Sequence, residues 1–396
     1  MPTYKAEFLY HHHKSLRRNR KRHAYAFGFI DKWARLASLN PDLVNFATQT
    51  PGLSTVAKFI AGMDPKRKIP EFAPMTLQAW FRQRGGTVNK NGPGVILWPD
   101  TFNNHFHTQV GTAAVEALEA AGFRVILPQQ HVCCGRPLYD YGFLDMAEKY
   151  LRRTLRLLRD EIRKGTPLVG MEPSCLAVFR DELVKILPNN QDANRLKENC
   201  FHWAEFFEKH NIPVPKLEGK ALVWGHCHHK ATGGMDPEMK LLKEGMGLDA
   251  TQAQGGCCGL AGSWGFEDGK HDISMQCGEI GFLPAVRNAE ASTLIVANGF
   301  SCKTQLEQSG IDRRALHVAE VMRLAGGLSV PRLGGAMPEE LSRPRPQPSR
   351  SVKAARNTAT LGLAALATFA GVRALVALAS MVGAERMPQD SEDKAA

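Results

Sequence analysis

Two adjacent cysteine pairs, Cys133-Cys134 and Cys257-Cys258, are the residues of this sequence best suited to chemistry. Neighbouring cysteines bridge each other only with unusual backbone geometry, yet both can turn their sulfurs towards one metal. Each pair runs into glycine, and a single cysteine follows further on, Cys175 after the first pair and Cys302 after the second. In the second set Cys227, Cys257, Cys258 and Cys302 fall on three separate loops, so four thiolates can surround one site. Four thiolates suit a 4Fe–4S iron-sulfur cluster or a tetrahedral zinc ion. Gly255, Gly256, Gly259 and Gly262 let the backbone approach closely and aim N–H groups at sulfur.

The first set keeps Cys133, Cys134 and Cys175, but Asp100 or Thr101 stands where the second has Cys227. Three thiolates can still hold a cluster with an oxygen ligand. The alternatives are a set that has lost its metal, or cysteines lent to a site shared between the two. His226, His228 and His229 flank Cys227 as ligands, as donors to sulfur or as proton carriers, and Gly259 and Asp100 are candidates for the surrounding shell. Cys200 and Cys277 have no counterpart in the other set and read as small buried hydrophobes. His11, His12 and His13 are consecutive on an expected helix and face different directions, which is poor chelation geometry.

Nine cysteines, an odd number, and no apolar stretch after the basic N-terminus argue against a disulfide framework and a secretory signal. A reducing cytoplasm is the expected compartment. The net charge of +11 gathers near the ends of the chain, as in Lys14–Arg22. It lacks both aromatic interleaving and zinc-finger spacing, so solvated charge or a partner-docking face is expected, and no nucleic acid.

These cysteines need rigid elements behind them. Residues 1–88 read as a helical connector. From Gly94 short apolar runs alternate with helical stretches: Val95–Trp98, a helix over 110–121 closed by Gly122, Phe123–Leu127, and a helix striped by Leu151, Leu155, Leu158 and Ile162. Leu168-Val169 then leads into Glu172-Pro-Ser-Cys175. Ala221–Trp224, Gly256-Cys-Cys-Gly259 and Thr293–Val296 before Cys302 repeat that order. Trp98, Cys133 and Cys175 recur as Trp224, Cys257 and Cys302, displaced by 126, 124 and 127 positions. The fold class is therefore α/β: two pseudo-repeated lobes with parallel sheets, over 89–215 and 216–330. A Pro/Gly/Arg-rich linker is expected over 331–357 and a hydrophobic helix over 358–385. Its apolar stretch 358–384, interrupted only by Arg373, leaves spanning a membrane, lying on one and docking on protein all open.

At these residues the sequence resembles the cysteine-rich CCG family of iron-sulfur oxidoreductases. Cys257-Cys-Gly-Leu-Ala-Gly-Ser-Trp-Gly-Phe-Glu267, Asp100-Thr-Phe-Asn-Asn-His105 and Lys5-Ala-Glu-Phe-Leu-Tyr10 are most similar to the C-terminal part of FAD-linked oxidases of D-2-hydroxy acids. The likeness runs from about residue 3 to 325. It implies two CCG lobes and an electron-transfer subunit, not one that turns over substrate alone. FAD would sit on a partner dehydrogenase subunit, with a ferredoxin-like domain beside it and a quinone or electron carrier as acceptor. It also implies work in the cytoplasm, with contact at the inner face of the membrane through 358–384. The chain departs from the family's Cys-x-x-Cys endings, having Glu172-Pro-Ser-Cys175 and Gly299-Phe-Ser-Cys302, and lacks a flavin-binding half. A split subunit or a shortened reading frame follows from that comparison. A zinc scaffold and heterodisulfide-type thiol chemistry are the alternatives.

Overall fold

The computed structural model describes residues 2–15, 19–326 and 337–342. The expected linker and hydrophobic helix lie outside the described residues, apart from the short helix Pro338–Ser342. Among the described residues no helix is long and apolar enough to cross a membrane.

Two parallel sheets carry the molecule. The first has strands β1 (Gly94–Trp98), β2 (Arg124–Ile126), β3 (Leu168–Gly170) and β4 (Cys200–His202), in the order β2-β1-β3-β4. The second has β5 (Lys220–Val223), β6 (Asp249–Gln252) and β7 (Leu294–Val296), in the order β6-β5-β7. Every strand pair is parallel. The first residues of β1, β2 and β3 recur in β5, β6 and β7 displaced by 126, 125 and 126 positions, so the duplication extends from cysteine spacing to sheet order. A parallel bridge from Val296 to Leu316 stands where β4 pairs in the first sheet.

The chain leaves both of those edges through the same local device. His202 N donates to Glu205 Oε2 and His317 N to Glu320 Oε2, each at 2.9 Å. In each case a histidine before a helix is capped by the glutamate three residues on, the reciprocal half of a capping box. The two helices, Trp203–Lys209 and Val318–Gly326, thus start alike.

Burial joins the lobes. Val95, Leu97, Val110 and Leu118 from the first share one apolar cluster with Ala221, Val223, Leu294 and Val296 from the second, all at most 1% exposed. Helix Val318–Gly326 packs on helix Thr108–Ala120, so a helix of the second repeat covers the first lobe. The expected stripe Leu151, Leu155, Leu158 and Ile162 is buried in a second cluster, although helix Leu144–Leu157 stops and Arg159–Arg163 begins anew after it.

The N-terminal connector is helical, as expected, from Pro2–Ser15 to Leu77–Gln83. It also reaches into the second lobe: Asp64 N donates to Phe266 O and Arg67 Nε to Gly265 O, both at 2.8 Å.

Candidate metal centre

The cysteine sites sit where the strands end and helices begin. In the second lobe β5 runs into helix Cys227–Thr232, whose first residue is Cys227 and whose cap is His226, with its ring accepting from His228 N at 3.2 Å. β7 runs into helix Phe300–Glu307, and Cys302 is its third residue. Cys257 and Cys258 lie on the loop after β6. Its tight return needs Gly259: the residue has φ +96°, and a Cβ there would stand 2.0 Å from Ser274 O.

The four thiols act on one another in series, Cys227 with Cys257, Cys257 with Cys258, and Cys258 with Cys302. Gly259 N donates to Cys257 Sγ at 3.3 Å. Hydrogen bonds from Cys227, then Cys258, then the Gly259 and Ala261 N–H groups outweigh burial and pull the Cys257 pKa far below a free thiol's. The same bonds, now spent on Cys257, push Cys227 and Cys258 up. One thiolate held by its neighbours is the charge state from which a metal ligand set is built.

The first lobe repeats this arrangement with one substitution. β1 runs into helix Thr101–His105, capped by Asp100, whose Oδ1 accepts from Phe102 N and Asn103 N at 3.0 Å. Thr101 is therefore the structural counterpart of Cys227, and it donates from Oγ1 to Cys133 Sγ at 3.8 Å. Asp100 matches the capping position of His226 instead. Gly135 N donates to Cys133 Sγ at 3.5 Å, and Cys134 and Cys175 are 3.0 Å apart, sulfur to sulfur. Cys175 is the third residue of helix Pro173–Ala177, the register of Cys302 in its own helix. The bond from Cys134 lowers the Cys175 pKa, but burial and the carboxyls of Asp100 and Glu172 leave it at about 11. Burial and Glu172 likewise push Asp100 up to about 7.

One cavity of about 660 Å³ is lined by Cys133, Cys134 and Cys175 from one lobe and Cys227, Cys257 and Cys258 from the other, with Cys302 buried behind it at 2% exposure. Its remaining walls include the aromatic rings of Phe27, Phe102, Phe266 and Phe300 and the charged side chains of Arg136 and Glu172. The donor atoms of His226, Cys227 and His228 lie within 4.8 Å of one another, and His228 Nδ1 is buried with no hydrogen-bond partner. His226 cannot move freely, because its ring fills the space that a Cβ at Gly299 would need.

The other two cysteines are elsewhere. Cys200 is buried in β4, as expected, whereas Cys277 is half-buried on helix His271–Glu279. That corrects its reading as a core residue: only every third or fourth position of a surface helix faces inward. Of the two residues that the sequence set against Cys227, Asp100 and Thr101, the structure selects Thr101, whereas sequence reasoning passed over Glu172 as a cap. The 126-residue displacement that pairs Trp98 with Trp224 already pairs Thr101 with Cys227. The recurrence of His202-Trp-Ala-Glu205 as His317-Val-Ala-Glu320 was a further landmark of the repeat.

Comparison with known proteins agrees with this geometry. Residues 101–180 match the cysteine-rich domain family CCG. The chain is 28% identical over 275 residues to a subunit of the anaerobic glycerol-3-phosphate dehydrogenase of Escherichia coli (strain K12), covering 67% of this chain and 68% of that protein. It is 25% identical to D-2-hydroxyglutarate dehydrogenase of the same strain over 324 residues, which are 78% of this chain but 31% of that protein. Against lactate utilization protein A of Bacillus subtilis (strain 168) it is 27% identical over 243 residues, 58% of this chain and 98% of the relative.

Proposed function

We propose that this CCG-domain chain, an oxidoreductase subunit by its relatives, relays electrons for a dehydrogenase through an iron-sulfur cluster held by Cys227, Cys257, Cys258 and Cys302. The observation that supports the reading is that those four thiols, from three loops at the ends of β5, β6 and β7, lie close enough to act on one another in series. Four sulfurs, of which Cys257 is both favoured as thiolate and the acceptor of a backbone N–H, are the donor set a 4Fe–4S cluster takes. When bound, such a group accepts and releases one electron at a time. The chain's own residues fix the sulfurs, exclude water with the aromatic wall, and aim N–H groups that set the potential.

The dehydrogenase step itself belongs on another chain in this reading. The relatives' names point to oxidation of a hydroxyl-bearing substrate such as glycerol 3-phosphate, lactate or D-2-hydroxyglutarate. An FAD-binding partner with a ferredoxin-like domain would perform it, and a quinone or carrier protein would receive the electrons. Cytoplasmic work against the inner face of the membrane fits that acceptor.

Anaerobic purification followed by iron, sulfide and EPR measurement tests the proposal. Iron with matching sulfide and a reducible EPR signal is expected. A colourless chain holding zinc and no iron would overturn it in favour of a second reading, a zinc scaffold. The observation behind that reading is the close grouping of His226, Cys227 and His228, a mixed nitrogen and sulfur set that zinc accepts.

A further inference from the structure

Arg67 is fully buried, at 0% exposure, where the N-terminal connector meets the second cysteine loop. Its Nε donates to Gly265 O at 2.8 Å and its Nη2 to Ser274 Oγ at 2.6 Å. Ser274 passes the contact on, donating to Gly259 O at 2.7 Å, one residue beyond Cys258. The third guanidinium nitrogen, Nη1, is buried with no hydrogen-bond partner.

Arg67 also differs from the other buried arginines in its charge partner. Arg136 is ion-paired with Asp140 and Glu182, and Arg313 with Glu339. Among the described residues no carboxylate lies within ion-pair distance of Arg67; the groups whose negative charge acts on it are Asp64 first and, from the cysteine site, Cys258 once it is a thiolate. A guanidinium stays protonated in proteins, so this charge cannot be shed on burial. An ammonium or guanidinium held dry without an anion is strongly unfavourable, and folded chains avoid it unless something negative arrives.

We propose that Arg67 is the counter-cation of the metal-thiolate group at Cys258, holding the second cysteine loop through Ser274 and raising the reduction potential of that group. This rests on the relay reading above. A fixed positive charge in a low-dielectric site favours the more negative, reduced state. Arg67 acts through the ligand loop and is a positioning residue.

The test compares the parent chain with Arg67→Met, Arg67→Lys and Ser274→Ala, iron-loaded under anaerobic conditions and titrated by EPR-monitored potentiometry. Arg67→Met is expected to shift the reduction equilibrium at least tenfold towards the oxidised form, 59 mV for one electron. Arg67→Lys keeps most of the parent's potential, and Ser274→Ala moves it less than Arg67→Met does. An unchanged potential in iron-loaded Arg67→Met, or equal shifts in the Lys and Met variants, overturns the proposal. Thermal melts decide the matter should Arg67→Met load poorly. With metal stripped, Arg67→Met should lose less melting temperature against the parent than it does when loaded, because the group that Arg67 balances is then absent. A drop in the stripped state as large as in the loaded one means that Arg67 only props the fold. If the parent binds no redox-active metal, the relay reading fails on the parent alone, before any variant is compared, and this inference falls with it.

Discussion

The carboxylate of Glu172 reaches across the repeat to Phe300: its Oε2 accepts from Phe300 N at 2.8 Å, while its Oε1 accepts from Ser174 N at 3.3 Å. One side chain therefore caps two helices, Pro173–Ala177 in its own lobe and Phe300–Glu307 in the other. The second of these has Gly299 at its cap, which offers no side-chain acceptor, and His226 leaves no room for one. These are the helices that carry Cys175 and Cys302.

A double cap should weigh more than a single one. Removing a capping side chain costs about 0.5–2 kcal/mol. Glu172→Ala should cost roughly twice as much as Asn190→Ala, whose side chain caps only helix Gln191–Glu198 through Ala193 N. Urea unfolding of both variants beside the parent measures the difference. Equal losses would mean that the bond to Phe300 contributes nothing.

Two glycines beside the second cysteine pair should answer alanine in opposite ways. Gly259 combines φ +96° with a backbone oxygen 2.0 Å from its would-be Cβ, whereas Gly256 has nothing within 4 Å. Strained backbone alone costs of order 1–3 kcal/mol, and overlap with a fixed carbonyl adds to it. Gly259→Ala should lower Tm markedly and release metal, and Gly256→Ala should do neither. Melting curves and iron content read both effects.

Glu238 gives a pH dependence with a defined sign. It is 1% exposed, and burial raises its pKa to about 8 against the lowering effect of the Asn298 side chain. The native state thus keeps a proton that the unfolded chain gives up near its ordinary value of 4.5. Stability must therefore fall as pH rises from about 4.5 to about 8, at no more than about 1.4 kcal/mol per pH unit from this group. Glu238→Gln, neutral throughout, should flatten that part of the curve. Denaturant titrations at several pH values in both chains would refute this if their slopes agreed.

Much of this was legible in the sequence because it is periodic. Apolar runs such as Val95–Trp98 and Ala221–Trp224 announce buried parallel strands, and the displacement of the cysteine pairs announces the repeat. Strands β4 and β6 were not anticipated. Cys200-Phe-His202 is too short to stand out, and Asp249-Ala-Thr-Gln252 is an edge strand with half its residues turned outward. Glu172 and Arg67 were hidden for another reason. Their partners lie 128 and 207 residues away, and no local pattern marks a side chain whose role is set by contact across the fold.

Thr101 and Cys227 offer an exchange experiment, since each opens the helix after the first strand of its lobe and each bonds to the first cysteine of its pair. If sulfur at this position decides whether a lobe retains metal, Thr101→Cys should complete a four-sulfur set in the first lobe and raise the iron bound per chain. Cys227→Thr should give the second lobe the first lobe's donors and lower it. Zinc or iron held by three sulfurs and an oxygen donor is more easily removed by chelator than four-thiolate metal, so the two variants should move retention in opposite directions. Thr101→Cys carries little folding risk, because the hydroxyl it replaces already points at Cys133 Sγ from 3.8 Å. Iron content unchanged in both variants would mean that the position is outside the ligand set. Loss in both would mean that Thr101 serves as an oxygen ligand that sulfur cannot replace.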